Sequence, residues 1–177
     1  MSTHFPTVPV ELARQNAAAS DIEHPLPLVL VVEDEPLIAE TLAAILNQSG
    51  LAALTAPDGS AALEIAQLMP PEMLISDVAM PGMNGFELAV EVTKAIPDCE
   101  IILFSGQATS SDLEAMNHAI GRNFVTLVKP VHPADLLARV YERLGARGFS
   151  MPSEVAARTQ SLYRLPTEAG PNLSTIL

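Results

Sequence analysis

The feature that most constrains this chain is a repeated unit. A short apolar run ends abruptly at a polar residue and is followed by a stretch whose apolar residues recur at helical spacing. Leu28-Val29-Leu30-Val31-Val32 is continuously apolar, as expected of a strand covered on both faces, and it stops at Glu33-Asp34-Glu35. Pro36 suits a first helical turn, Ile38, Leu42, Ile45 and Leu46 recur along one helix side, and Gly50 suits its left-handed end. Leu51–Ala56 reads as a weaker strand, after which Asp58 caps a helix carrying Ala62, Leu63 and Ala66. Met73–Ser76 runs into Asp77, and Asn84 with Glu87 opens a helix to about Ile96 as a capping pair.

Ile101–Phe104 ends at Ser105-Gly106, and Ser111 with Glu114 forms a capping box for a helix with Leu113, Met116 and Ile120 on its apolar side. The last strand, Phe124–Val128, ends at Lys129-Pro130. His132-Pro133 then opens a helix with Leu136, Leu137, Val140 and Leu144 as its buried stripe, and Gly145 is expected to stop it. Five strand–helix units in succession predict an α/β protein, a doubly wound parallel sheet with helices on both faces.

Proline, which breaks helices and ladders, sets the expected boundaries. Pro6, Pro9, Pro25, Pro27, Pro152, Pro166 and Pro171 all fall outside residues 28–148. The expectation is an extension over 1–27, a domain over 28–148 and a tail over 149–177. Short helices are compatible with Glu11–Ala19 and with Ser153–Leu165, the latter carrying Val155 and Leu162 on one side. The tail is shorter than the roughly 40 residues a domain ordinarily needs to fold unaided, so a DNA-binding output domain is not expected in it.

Charge excludes another class of partner. Between Gln15 and Thr93 the chain has 12 acids and no Lys or Arg, within a net charge of −12 for the whole. Nucleic-acid affinity comes from basic residues neutralising phosphates, so neither DNA nor RNA is expected on this surface, while divalent cations and basic protein patches are. Cys99 is the single cysteine and has no partner for an intramolecular disulfide, which fits a reducing cytoplasm. No segment approaches the ~18 apolar residues of a membrane span, so no membrane insertion is expected.

Ligands of open parallel sheets bind outside the carboxyl ends of the strands. Glu33 and Asp34 follow the first strand, Asp77 the third, Ser105 the fourth and Lys129 the fifth, so all should converge at one edge. Carboxylates gathered there repel one another until a cation or a proton intervenes, and their hard oxygens suit Mg²⁺. With Lys129 as a positive point charge and Ser105 as a hydroxyl donor, the set is one for phosphoryl transfer.

The stretches Val31-Val32-Glu33-Asp34-Glu35-Pro36, Leu74-Ile75-Ser76-Asp77-Val78-Ala79-Met80-Pro81-Gly82-Met83-Asn84-Gly85, Phe104-Ser105-Gly106 and Val128-Lys129-Pro130 carry a resemblance. In this order and spacing, over roughly residues 28–148, the chain resembles the receiver domain of two-component response regulators. The resemblance implies a flavodoxin-like (βα)5 fold with strand order 2-1-3-4-5. It implies Asp77 as the phosphoacceptor, attacking a phosphohistidine as a carboxylate nucleophile. Asp34 and Asp77 would bind Mg²⁺ directly, Glu33 through a water, and the backbone carbonyl of Ala79 would complete the protein ligands. Lys129 and Ser105 would hold phosphoryl oxygens, and Pro130 would follow a cis peptide bond.

The implied partners are a sensor histidine kinase or a histidine phosphotransfer protein upstream and a protein target downstream, with a homodimer compatible. The expected role is a stand-alone receiver that is a phosphoacceptor rather than an enzyme with a substrate of its own. A small-molecule phosphatase would need a second acid to protonate the leaving group, and the loop after Asp77 offers Ala79 instead. That small residue leaves an aspartyl phosphate open to water.

One position departs from the family pattern. Where the family carries a switching Tyr or Phe there is Thr126, with Phe124 earlier on the same strand face. Either Phe124 serves as a displaced switch or output is coupled differently. In the extreme case the chain is an interaction module that does not use phosphorylation. His118 and His132 are expected on helix surfaces or as caps, and the methionines as packing residues.

Overall fold

A computed structural model describes residues 26–106 and 124–163. Its elements, in chain order, are β1 (Leu28–Val32), α1 (Pro36–Asn47), β2 (Ala52–Ala56), α2 (Gly59–Leu68), β3 (Met73–Asp77), α3 (Gly85–Ala95), β4 (Glu100–Ser105), β5 (Val125–Val128), α4 (Pro133–Gly145) and α5 (Ser153–Tyr163). The five strands form one parallel sheet in the order β2-β1-β3-β4-β5. The helices expected over Glu11–Ala19 and after Ser111, with His118, lie outside the described residues.

The apolar runs become strands because both sheet faces are covered. Alternate residues of each strand feed separate cores. Leu30, Val32, Leu74 and Leu103 point to a core shared with Ala62 and Ala66 of α2 and Leu88, Ala89 and Val92 of α3. Val29, Val31, Met73, Ile75, Ile102 and Phe104 point to the other, where Leu46 of α1 and Leu136, Leu137, Val140 and Leu144 of α4 meet them.

The caps act as the sequence predicts. Asp58 Oδ1 accepts from the Ala61 N–H at 2.8 Å. Asn84 Oδ1 accepts from the Phe86 and Glu87 N–H groups while Glu87 accepts from the Asn84 N–H, a complete capping box. His132 caps α4 through Nδ1 on the Ala134 N–H.

Two details differ from the pattern. Gly145 is the last residue of α4 rather than its left-handed stop, and the positive φ of 88° falls on Gly148, after one more turn of chain. On α1 the fully buried positions are Ala39, Ala43 and Leu46, with Ile38, Leu42 and Ile45 only partly covered. Alanines let the helix lie close to the sheet, which turns the bulkier Ile38 and Leu42 toward the margin of the interface.

α5 forms over most of the stretch expected for it and packs on α4. Val155 is buried in the second core, Phe149 and Met151 pack against it, and Pro152 lies beside Gly50 at the end of α1.

Candidate functional site

Parallel strands in register bring their carboxyl ends to one edge. Val32 stands opposite Ser76, Asp77 opposite Phe104, and Ser105 opposite Val128, so Glu33, Asp77, Ser105 and Lys129 emerge side by side. Gly85 fixes the loop after Asp77. Its N–H donates to the Val78 carbonyl, and a Cβ on Gly85 would stand 2.1 Å from the Asp77 carbonyl oxygen, so only glycine lets α3 start this close to β3. The sequence motif contains this glycine but not the reason for it, which is a contact between elements.

Glu33 and Asp77 are buried and Asp34 is exposed, and one carboxylate oxygen from each lies within 4.8 Å of the others. Lys129 reaches across this cluster, donating to Asp77 Oδ2 at 2.8 Å and to Glu33 Oε2 at 3.0 Å. The Ala79 N–H donates to Asp77 Oδ1 at 3.3 Å, so both oxygens of Asp77 are held. Partial burial lowers the affinity of Lys129 for its proton, but the hydrogen bonds and charges of Asp77 and Glu33 outweigh it and leave the pKa above the ordinary lysine value.

Ser105 is buried at the end of β4, and its carbonyl accepts from the Lys129 N–H at 2.9 Å. The Lys129–Pro130 peptide bond is cis. All the site residues singled out from the sequence therefore lie at one edge of the sheet. The contact between Lys129 and Glu33 has no signal in the sequence, since strand patterning gives the ends of strands and not the reach of a side chain.

Phe124 lies elsewhere. It is buried in the first core just before β5, and the register places it four residues before Val128, the partner of Ser105. At about 3.3 Å per residue that is roughly 13 Å along the strand. Phe124 is thus a packing residue of the first core, remote from Ser105, while the half-buried Thr126 stands opposite Leu103.

Residues 29–141 match the family described as response regulator receiver domain. The chain belongs to that family. Its receiver is 31% identical over 127 residues to the DNA-binding response regulator MtrA of Mycolicibacterium smegmatis, an alignment covering 72% of this chain and 54% of that protein. The chain thus spans about half the length of that curated relative.

Among solved structures, the chemotaxis protein CheY4 of Vibrio cholerae superposes with a TM-score of 0.62 at 30% identity, over 67% of this chain and 99% of CheY4. A CheY-like receiver domain protein from Methanospirillum hungatei does so with a TM-score of 0.64 at 25% identity, over 70% of this chain and 97% of that one. The flavodoxin-like fold and the 2-1-3-4-5 order are those of the receiver family.

Receiver domains are phosphoacceptor signalling modules of two-component systems that partner with histidine kinases and bind Mg²⁺ in an acidic pocket. The cluster of Glu33, Asp34 and Asp77 fits such an ion: the donors are all carboxylate oxygens, and the exposure of Asp34 leaves the ion room for its waters. Among the described residues no helix is long and apolar enough to cross a membrane.

Proposed function

We propose that the receiver accepts a phosphoryl group on Asp77 from the phosphohistidine of a sensor kinase or phosphotransfer protein. On this reading it works as a stand-alone switch or phosphorelay intermediate, in the cytoplasm, by binding another protein and not DNA. The observation that carries the reading is Lys129 bridging Glu33 and Asp77 at the edge where Ser105 and Asp34 also emerge.

In the transfer, a carboxylate oxygen of Asp77 forms the new P–O bond while the P–N bond to the donor imidazole breaks and its electron pair stays on that nitrogen. Lys129, already on Asp77 Oδ2, moves its ammonium onto an oxygen of the incoming phosphoryl group. Ser105 donates its hydroxyl to another. Asp34 and Asp77 would hold Mg²⁺ directly, Glu33 through a water, with the Ala79 carbonyl as a further ligand. The ion would supply countercharge to the phosphoryl oxygens.

Protein binding is supported by a groove of about 490 Å³ beside Lys129, lined by Ile38 and Leu42 of α1 together with Phe104, Pro130 and Val131. Leu37 on α1 is exposed as well. The absence of Lys and Arg from Gln15 through Thr93 speaks for a protein partner over nucleic acid.

Incubation with acetyl phosphate and Mg²⁺, read by intact mass, tests the assignment. One phosphoryl adduct is expected on the wild-type chain and none on Asp77→Asn. An unmodified wild type, or equal labelling of the variant, would overturn it.

A second reading rests on Thr126 and on the remote Phe124: a receiver fold that binds its partner without using phosphorylation for output. It predicts partner binding that is the same before and after acetyl phosphate treatment.

A further inference from the structure

Met83 ties the loop between β3 and α3 to the start of α2. A Cβ on Gly59, the first residue of α2, would stand 2.9 Å from Met83 Cβ, Cγ and Sδ, so the side chain runs directly along the glycine backbone. It also packs against the first core. The loop is closed at its base by the Gly85 N–H on the Val78 carbonyl, and within it lies Ala79, whose N–H donates to Asp77 Oδ1. Met83 is therefore the link through which α2 steadies the segment that holds Asp77.

This thioether can be reached from solvent. Met83 is half-buried and forms one wall of a hollow of about 410 Å³ whose lining includes the exposed Pro57, Ser60 and Pro81. Among the described methionines, Met73 and Met80 are buried. Met69 stands between the end of α2 and the start of β3, at the amino edge of the sheet, and Met151 packs against the second core. Met83 is thus the accessible described methionine at the edge where the acids emerge.

We propose that the Met83 thioether is a site of modification by peroxide, and that its sulfoxide loosens the loop that holds Asp77. A sulfur lone pair attacks one peroxide oxygen, the S–O bond forms as the O–O bond breaks, and the departing hydroxide takes the proton of the transferred oxygen. The products are the sulfoxide and water, so sulfur loses two electrons and the peroxide gains them. Oxidation turns a flexible apolar group into a polar one. An oxygen on Sδ either meets the Gly59 backbone or turns the side chain away from it, and its polarity disfavours the contact with the first core. The consequence for a bound ion rests on the proposed Ala79 ligand; the modification itself does not.

The test treats the full chain with hydrogen peroxide at a dose that leaves the buried Met73 unmodified, and locates the added oxygen by peptide mass. Modification of Met83 is expected, with amide NMR shifts at Gly59 and Ala79 that methionine sulfoxide reductases reverse. Mg²⁺ affinity of the oxidised chain should fall about tenfold, the low end of what losing an outer support costs a metal site. Met83→Leu conserves side-chain volume and should keep the untreated Mg²⁺ affinity while losing the response to peroxide.

An unmodified Met83, unchanged amides at Gly59 and Ala79 after its oxidation, or an equal loss of Mg²⁺ affinity in treated Met83→Leu would each overturn the inference. A chain that binds no Mg²⁺ before treatment would instead sink the metal assignment, and the sulfoxide-dependent shifts at Gly59 and Ala79 would still decide this one.

Discussion

Lys129 has two tasks that conflict. It holds the buried Glu33 and the buried Asp77 together in the resting pocket, and in the proposed transfer it must be free to take a phosphoryl oxygen. Removing it leaves carboxylates facing one another with no ammonium between them. Lys129→Ala should therefore lower stability by about 2 kcal/mol in chelator, a value reduced from that of a fully buried pair because the lysine is partly open to water. The same variant should gain more in melting temperature from added Mg²⁺ than the wild type does, since the ion takes over the missing countercharge. Equal gains would mean that Lys129 does not hold the acids.

The pH dependence has a definite sign. The folded-state pKa of Lys129 lies above the ordinary 10.5, so its contribution is complete below 10.5 and disappears as pH climbs through the folded value. Burial pushes the Tyr141 phenol above its ordinary 10.0, giving an alkaline loss of the same sign. Urea unfolding measured in a Tyr141→Phe background should show an alkaline decline that Lys129→Ala removes. At this scale the residue types and their strand ends were legible in the sequence, because polar residues that stop apolar runs have few other structural reasons to be there. The side-chain bridge and the close approach at Gly85 were not, since both are contacts between segments distant in the chain.

At the scale of elements, capping chemistry was the most legible feature: Asp58, Asn84 with Glu87, and His132 each act on an N–H within three residues, so the local sequence contains the whole interaction. Apolar spacing was less decisive. On α1 the size of the side chains reversed the expected order of burial, because the close seat of the helix is taken by Ala39 and Ala43. The helix α5 shows a similar limit. Its sequence reads as helix or loose tail with equal ease, and what decides is a tertiary fit: Val155 enters the second core, and Pro152 lies beside Gly50 and the Tyr141 hydroxyl, which donates to the Ser49 carbonyl. This fit lies by the start of β2, at the edge of the sheet opposite Asp77. Val155→Asp buries an unpaired charge there and should lower the urea midpoint by the equivalent of about 2 kcal/mol or more. Acetyl phosphate labelling of Asp77 should be unchanged, so a variant of wild-type stability, or one that folds but loses labelling, would contradict a purely structural role for α5.

For the whole molecule, topology and charge act together. Because β2 lies to one side of β1 and β4 to the other side of β3, the connections leaving β1 and β3 diverge and open a crevice at their carboxyl ends. That crevice receives Glu33, Asp34 and Asp77, while the base-free stretch also carries Glu40 on α1, Glu64 on α2 and Glu87 and Glu91 on α3. The sequence showed the alternation that requires a parallel sheet, but the strand order came from family resemblance, since no local pattern says on which side of β1 the chain will lay β2. The resulting field points to a partner with a basic face. If so, its association rate with the receiver should fall as salt is raised toward and beyond physiological strength, where screening acts over about 8 Å, while dissociation changes little. Stopped-flow measurement with the phosphodonor protein separates the two rates. An association rate independent of salt would show that the acidic surface serves solubility alone, and would confine electrostatic recognition to the pocket itself.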